Sequence, residues 1–288
     1  MNEAKVNKGS QVKYHRPLNA QQLKTLHLLY WYRFCTSKQL ARSLDKSSHK
    51  AIQNKLQILE AQGFIGKRYD KSYKLVGRAA EYYITPKGAR ELEKLKPGTT
   101  NQWATKSLYK NKTVSQDFLA HCIAVTEVSQ RLRDIYGDSS KLRRLSKSYM
   151  AEFSYYPTWT PDLHLEIPGK GEAPTKHYFL DVWDGTKPFF VSVRKTRNYV
   201  NFKDSGDWQE DEPFPAILAI CEDERSQKKL NRQMRRILDE QWDEEFIFAT
   251  TTIEKLQQVT KPTERIWLRI ESDEELESMS LISLFSYS

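Results

Sequence analysis

Apolar residues first recur at helical spacing from Leu18 onward, where Leu23, Leu26, Leu29 and Tyr30 share one face and Asn19 or Ala20 stands at the start. Thr36-Ser37-Lys38-Gln39 opens a second helix, because a Thr with Gln three residues later forms a capping box. Its inward members are Leu40, Ala41 and Leu44. Asp45-Lys46-Ser47 predicts a turn, with Ser47 or Ser48 capping a third helix that runs to about Gln62. Ile52, Leu56 and Leu59 line the inner face of that helix, and His49, Lys50, Gln53, Asn54 and Gln57 line the other. Gly63 ends it. Phe64 to Tyr69 and Glu81 to Thr85 read as strands around a basic, turn-like stretch from Asp70 to Ala80. Thr85 then caps a helix that begins at Pro86 and ends at Leu95. Three helices, a strand, a basic loop, a strand and a helix predict a winged helix-turn-helix over residues 18–96. A polar, basic arm (1–17) precedes it and a basic linker (97–115) follows.

From residue 116 the periodicity changes. Gln116 to Tyr136 is one amphipathic helix ended by Gly137, residues 147–156 look extended, and Pro161 to Ile167 alternates. In that strand Leu163, Leu165 and Ile167 face one way, and Asp162, His164 and Glu166 the other. His177 to Trp183 is the next strand, Pro188 to Phe202 a helix, and Phe214 to Cys221 a continuous apolar run typical of a buried central strand. A charged helix (Asp223 to Trp242) and strands at Phe246 to Thr251 and Ile266 to Ile270 follow, and Leu281 to Phe285 reads as a final core strand or a docking segment. The order predicts a mixed α/β sheet with helices on its faces over residues 116–288.

One pairing carries chemistry. If the strands at 161–167 and 177–183 are antiparallel about the 168–175 loop, Asp162 stands opposite Asp181, with Cβ atoms ~4.5–5.5 Å apart. Two carboxylates that close repel unless one is protonated or a cation sits between them. Oxygen ligands suit Mg²⁺ or Mn²⁺, and such an ion would hold a phosphodiester and activate water. The competing reading is that either aspartate ends a strand or caps a turn, as Asp184-Gly185 also suggests.

Charge sharpens the division. The chain has 288 residues and a net charge of +9, but residues 1–115 hold 23 basic and 7 acidic residues and the remainder is net −7. A cationic first unit implies a polyanionic partner, double-stranded DNA above all, with Lys67, Arg68, Lys71, Lys74 and Arg78 against phosphates. The outer face of the third helix would read base edges through His49, Lys50, Gln53, Asn54 and Gln57. A mean hydropathy of −0.72 and no apolar run of about 18 residues exclude a membrane span, and the N-terminus lacks a signal core. Cys35, Cys122 and Cys221 read as buried free thiols in a reducing cytoplasm. No GxxxxGK[ST], GxGxxG, HExxH or GxSxG occurs.

The phrases LNAQQLKTLHLLYWYRFCTSKQLA, YYITPKGARELEKL, HCIAVTEVSQRL, PDLHLEI, YFLDVWDGT and KTRNY, in that order, resemble the replication-relaxation proteins of plasmids, phages and integrative elements. The resemblance implies a winged helix followed by a restriction-endonuclease-like domain, whose signature is PD followed by (D/E)xK. Pro161-Asp162 and Asp181 match it, whereas Trp183 stands where the lysine belongs. Lys195, with Tyr199 one turn later, would supply the cation instead, and Glu127 and Glu152 are further candidates for an ion's shell. Three functions follow as expectations. The first is a DNA-binding accessory protein of a mobile element, acting in replication or relaxation with a non-catalytic nuclease-like domain, alongside a replication initiator or relaxase. The second is a transcription regulator whose second unit dimerises or senses. The third is a Mg²⁺- or Mn²⁺-dependent nuclease or nickase using Asp162, Asp181 and Lys195.

Overall fold

The computed structural model describes residues 17–69, 71–75, 77–169, 171–209, 211–240, 246–270 and 278–285. The expected N-terminal arm and the side chain of Lys71 lie outside them. The first unit holds α1 (Ala20–Tyr32), β1 (Cys35–Thr36), α2 (Ser37–Ser43), α3 (Lys50–Ala61), β2 (Ile65–Arg68), α4 (Lys71–Leu75), β3 (Glu81–Ile84) and α5 (Pro86–Leu95). Capping boxes at Asn19/Gln22 and Thr36/Gln39 start α1 and α2, and Thr85 caps α5, so local polar chemistry sets three helix starts. The third start differs from expectation: His49 occupies the N-cap of α3 without a side-chain bond, and neither Ser47 nor Ser48 does the capping. The strands pair antiparallel in the order β1-β3-β2. The segment expected to be turn-like contains α4, whose Tyr73 is 6% exposed and anchors it. Gly88 lets α5 press onto the sheet, since a Cβ there would stand 2.0 Å from the Phe64 carbonyl oxygen.

Residues 97–115 are structured. They carry α6 (Gln102–Ser107) and a 3₁₀ turn (Leu108–Lys112) whose Leu108 joins the core of the first unit. Buried Asn111 accepts a hydrogen bond from Arg33 Nε at 2.8 Å.

The remainder contains α7 (Gln116–Tyr136), β4 (Arg143–Ser146), α8 (Lys147–Met150), β5 (Leu163–Ile167), β6 (Lys176–Trp183), α9 (Phe189–Ser205), β7 (Ala216–Cys221), α10 (Glu224–Glu240), β8 (Phe248–Thr252), α11 (Ile253–Gln258), β9 (Trp267–Arg269) and β10 (Ser278–Met279). They form a seven-stranded sheet in the order β10-β9-β8-β7-β6-β5-β4, with β6, β7 and β8 parallel and the other pairs antiparallel. The central strand β7 is buried throughout, as its unbroken apolar run required. Helices α7 and α11 cover one face of the sheet and α9 and α10 the other, each over its own apolar cluster.

Two expectations are corrected here. Residues 147–156 are not a strand: β4 ends at Ser146 opposite Leu163, and the chain then turns through α8. The aromatics that suggested extension instead pack on one another, with Tyr149 and Phe153 centroids 5.1 Å apart and Phe153 and Tyr155 5.3 Å apart. Residues 282–285 are a 3₁₀ turn rather than a strand, although Leu281 and Leu284 are fully buried as a core segment requires.

Helix α7 also ties the two units together. Gln39 Nε2 donates to the Ile123 carbonyl at 2.9 Å, and Gln130 Nε2 donates to that of Gln39 at 2.7 Å. Arg42 pairs with both Glu127 (2.6 Å) and Asp134 (2.5 Å). Cys35 and Cys221 are buried, Cys122 is partly so, and all three are free thiols.

Candidate functional site

The β5–β6 hairpin runs in the expected register. Leu163 pairs with Leu180 and Glu166 with His177, so Asp162 stands opposite Asp181 at the mouth of the pair. Alternation along β5 puts Asp162 on the face away from Leu163 and Leu165, under α9. Both carboxylates are buried, at 4% and 2% exposure. They are linked through backbone rather than through their charges. Asp162 N–H donates to Asp181 Oδ1 at 3.1 Å, and Val182 N–H donates to Asp162 Oδ2 at 2.9 Å.

Protein cations do the rest. From α9, Lys195 Nζ reaches Asp181 Oδ1 at 2.5 Å and the Tyr199 hydroxyl donates to Asp181 Oδ2 at 2.8 Å. Lysine and tyrosine act together because four residues along a helix bring them onto one face. From the start of α8, Lys147 Nζ reaches Asp162 Oδ1 at 2.7 Å. From α7, His121 Nε2 lies 3.0 Å from Asp162 Oδ1 and its Nδ1 lies 3.0 Å from Asp184 Oδ2. Asp184 also accepts from the Thr186 amide and hydroxyl.

The electrostatics follow from these contacts. Burial works against an imidazolium at His121, but carboxylates on both ring nitrogens outweigh it and push its pKa up to about 9. Burial would raise Asp162, yet Lys147 and His121 hold it well below the usual carboxylate range. Burial and the Asp181 carboxylate push the Tyr199 phenol up. Three acidic side chains (Asp162, Asp181, Asp184) thus face three basic ones (His121, Lys147, Lys195).

The set does not fit a divalent ion between Asp162 and Asp181. All four carboxylate oxygens accept hydrogen bonds from protein donors, and coordination would displace Lys147 or Lys195 from a balanced cluster. Protein side chains supply cations to both aspartates: Lys147 and His121 to Asp162, and Lys195 to Asp181. Glu127 stands apart, paired with Arg42, and Glu152 is exposed beside a separate cavity lined by His27 and Lys96. Lys195, the lysine expected in place of the one the signature lacks here, contacts Asp181 and not Asp162 among the hydrogen bonds of the cluster.

His121, Lys147 and Asp184 were not singled out as site residues from the sequence. His121 had one legible signal: it shares a seven-residue spacing with Val128 and Ile135, so it lies on the buried stripe of α7. Lys147 had none, since its place depends on α8, which the aromatic pattern concealed. Two cavities meet the cluster. One of about 130 Å³ is lined by Asp181, Asp184, Lys187, Ser192 and Lys195. The other, about 460 Å³, lies where the two units meet and is lined by Trp31, Arg33, Phe118, His121 and Lys147.

The candidate DNA-facing residues divide in two. Lys50, Gln53, Asn54 and Gln57 are exposed along α3 while Ile52, Leu56 and Leu59 are buried beneath them; His49 is half-buried at the helix start. Lys67 is exposed beside Glu60, at 3.6 Å, and Lys74 is exposed on α4. Two arginines expected on phosphates are engaged internally instead. Arg68 Nη1 donates to the Val114 carbonyl at 2.6 Å, and Arg78 pairs with the buried Glu81 at 2.8 Å over the Tyr73 ring. A buried carboxylate needs a cation more than a solvated surface does, and that need fixes Arg78.

No curated protein matches the chain. Among solved structures, restriction endonuclease FokI bound to DNA is similar at 11% identity and a TM-score of 0.29 over 82% of this chain, which spans 43% of that one. The family model for replication-relaxation proteins matches residues 26–217, from α1 through the Asp162–Asp181–Lys195 cluster into β7, and the chain belongs to the replication-relaxation family.

Proposed function

We propose that the protein is a DNA-binding accessory factor of replication or relaxation, which grips double-stranded DNA through α3 and the basic segment between β2 and β3 in the manner of a winged helix. The carrying observation is the two-faced α3, with Lys50, Gln53, Asn54 and Gln57 exposed over a buried apolar stripe, in the half of the chain that holds the positive charge. Gln and Asn offer paired donors and acceptors to base edges, and Lys50, Lys67 and Lys74 neutralise phosphates. Arg68 and Arg78 shape the segment rather than touch DNA. An electrophoretic shift with origin DNA of the parent element tests this. Affinity falls with salt at a log–log slope steeper than about −2.5, the release expected for three phosphate contacts. Binding insensitive to salt would end the proposal. A transcription role uses the same contact and is favoured over replication if deletion changes promoter output but not copy number.

The nuclease-like unit acts as a scaffold in this reading, because its aspartates are neutralised by Lys147, His121 and Lys195. Supercoiled plasmid incubated with the protein and Mg²⁺ or Mn²⁺ stays closed. Nicking that disappears in both Asp162→Ala and Asp181→Ala would establish a nuclease or nickase instead.

A further inference from the structure

A second polar cluster lies further along the same face of the β5–β6 hairpin, and neither the DNA contact nor the aspartate cluster uses it. His164 and Glu166 follow Asp162 at alternate positions, and His177 is the cross-strand partner of Glu166. His164 is 0% and His177 4% exposed. The two rings meet through their inner nitrogens, with His164 Nε2 and His177 Nδ1 3.0 Å apart. Their outer nitrogens are already held: His164 Nδ1 lies 2.6 Å from the Tyr156 hydroxyl, and His177 Nε2 lies 3.2 Å from Glu212 Oε2. Arg143 takes Glu166 Oε2 at 3.1 Å, and Oε1 lies 3.8 Å from His164 Nδ1, the nitrogen that also faces Tyr156. One ligating atom from each of His164, Glu166 and His177 falls within 4.8 Å of the other two.

We propose that His164, His177 and Glu166 bind a first-row divalent ion of the zinc class, with Tyr156 and Glu212 orienting the two imidazoles. The arrangement has the two layers such sites need. An imidazole that ligates through one nitrogen has its ring fixed by a carboxylate or other polar partner on the second, and both rings here have that partner. Two nitrogens and a carboxylate oxygen suit Zn²⁺, Co²⁺ or Ni²⁺ better than Mg²⁺, which prefers oxygen throughout. The Trp208 ring, 5.7 Å from both imidazoles, walls the cluster with apolar surface. Glu212 is the more exposed member of its pair with His177, at 34% against 5%. The location suits a structural role: an ion there would clamp β5 to β6 and hold the register that sets Asp162 opposite Asp181.

The test uses the full chain, stripped with chelator and titrated with Zn²⁺ by calorimetry and with Co²⁺ by visible absorption. One equivalent of each binds, Co²⁺ develops d–d bands of low coordination number, and Zn²⁺ raises the wild-type melting temperature. His177→Gln and the more exposed Glu166→Gln each weaken Zn²⁺ binding by at least ~10-fold and abolish the Co²⁺ bands. Circular dichroism checks that both variants fold. No binding at tens of micromolar ion, or equal binding and equal bands in folded Glu166→Gln and His177→Gln, would show that the two histidines serve only as a hydrogen-bonded core pair.

Discussion

Asp162→Ala destabilises the protein by about 3–5 kcal/mol, the range for removing one partner of a buried ion pair. The loss is large because Asp162, at 4% exposure, is the shared acceptor of Lys147, His121 and the Val182 amide. Its removal leaves a buried imidazolium facing one carboxylate instead of two, and strips an amide of its acceptor. In a chain of this size the melting temperature falls by roughly 10 °C. Asp162→Asn costs less, since an amide oxygen still accepts from Val182. Lys147→Met in the Asp162→Ala background adds little, because the ion pair is already lost, and a double-mutant cycle measures that coupling. A loss under about 1 kcal/mol for Asp162→Ala would mean that the cluster is not a stabilising network.

The same cluster sets a pH dependence whose sign can be worked out. The folded-state pKa of His121 is about 9, above its ordinary 6.5. Its contribution is therefore complete below pH 6.5 and is lost as pH rises through 9. Asp162 is shifted the other way, below its ordinary 3.8, so its contribution is complete above that value and is lost as pH falls through the depressed one. Urea unfolding at several pH values shows a plateau between the two limbs. Asp162→Ala flattens the limb between pH 6.5 and 9, because one of the two carboxylates that raise His121 is gone.

Gln53→Ala with Asn54→Ala lowers affinity for the specific DNA site by roughly 10²-fold or more, since each paired contact to a base edge is worth about 1–3 kcal/mol. Both side chains are exposed, so the melting temperature stays near that of the wild type. Affinity for unrelated DNA and the salt slope also stay, because they depend on Lys50, Lys67 and Lys74. Lys67→Ala with Lys74→Ala gives the complementary result: specific and non-specific affinity fall together and the slope becomes shallower by about 2. Equal loss on specific and unrelated DNA from the Gln53/Asn54 pair would remove α3 from base readout and leave it a phosphate-facing helix.

Much of the first unit was legible because its signals are local. Asn19, Thr36 and Thr85 each satisfy amides within three residues of themselves, so a cap can be read without knowing the fold. The two-residue β1 was not legible, since Cys35 and Thr36 become a strand only by pairing with Tyr82 and Glu81 far along the chain. α4 was hidden in a similar way, because the burial of Tyr73 depends on where the basic segment lies in space.

In the second unit the alternation Asp162–Leu163–His164–Leu165 and the length of the 168–175 loop were enough to place Asp162 opposite Asp181, because a strand has a period of two and a hairpin loop fixes its register. The sequence by itself thus determined the starts of α1, α2 and α5, the separation of charge between the halves, the apolar central strand and the pairing of the two aspartates. All of these rest on spacing along the chain. Only the tertiary structure decided what the aspartates face. Lys195 on α9 was already expected through the family resemblance, but Lys147 from α8 and His121 from α7 converge on Asp162 from two further helices, and no local pattern encodes which distant cation meets a buried carboxylate. The same holds for Arg68 and Arg78, which the sequence offered to DNA and the fold used for itself: burial of Glu81 and the path of the chain through Val114 created partners that spacing cannot foretell.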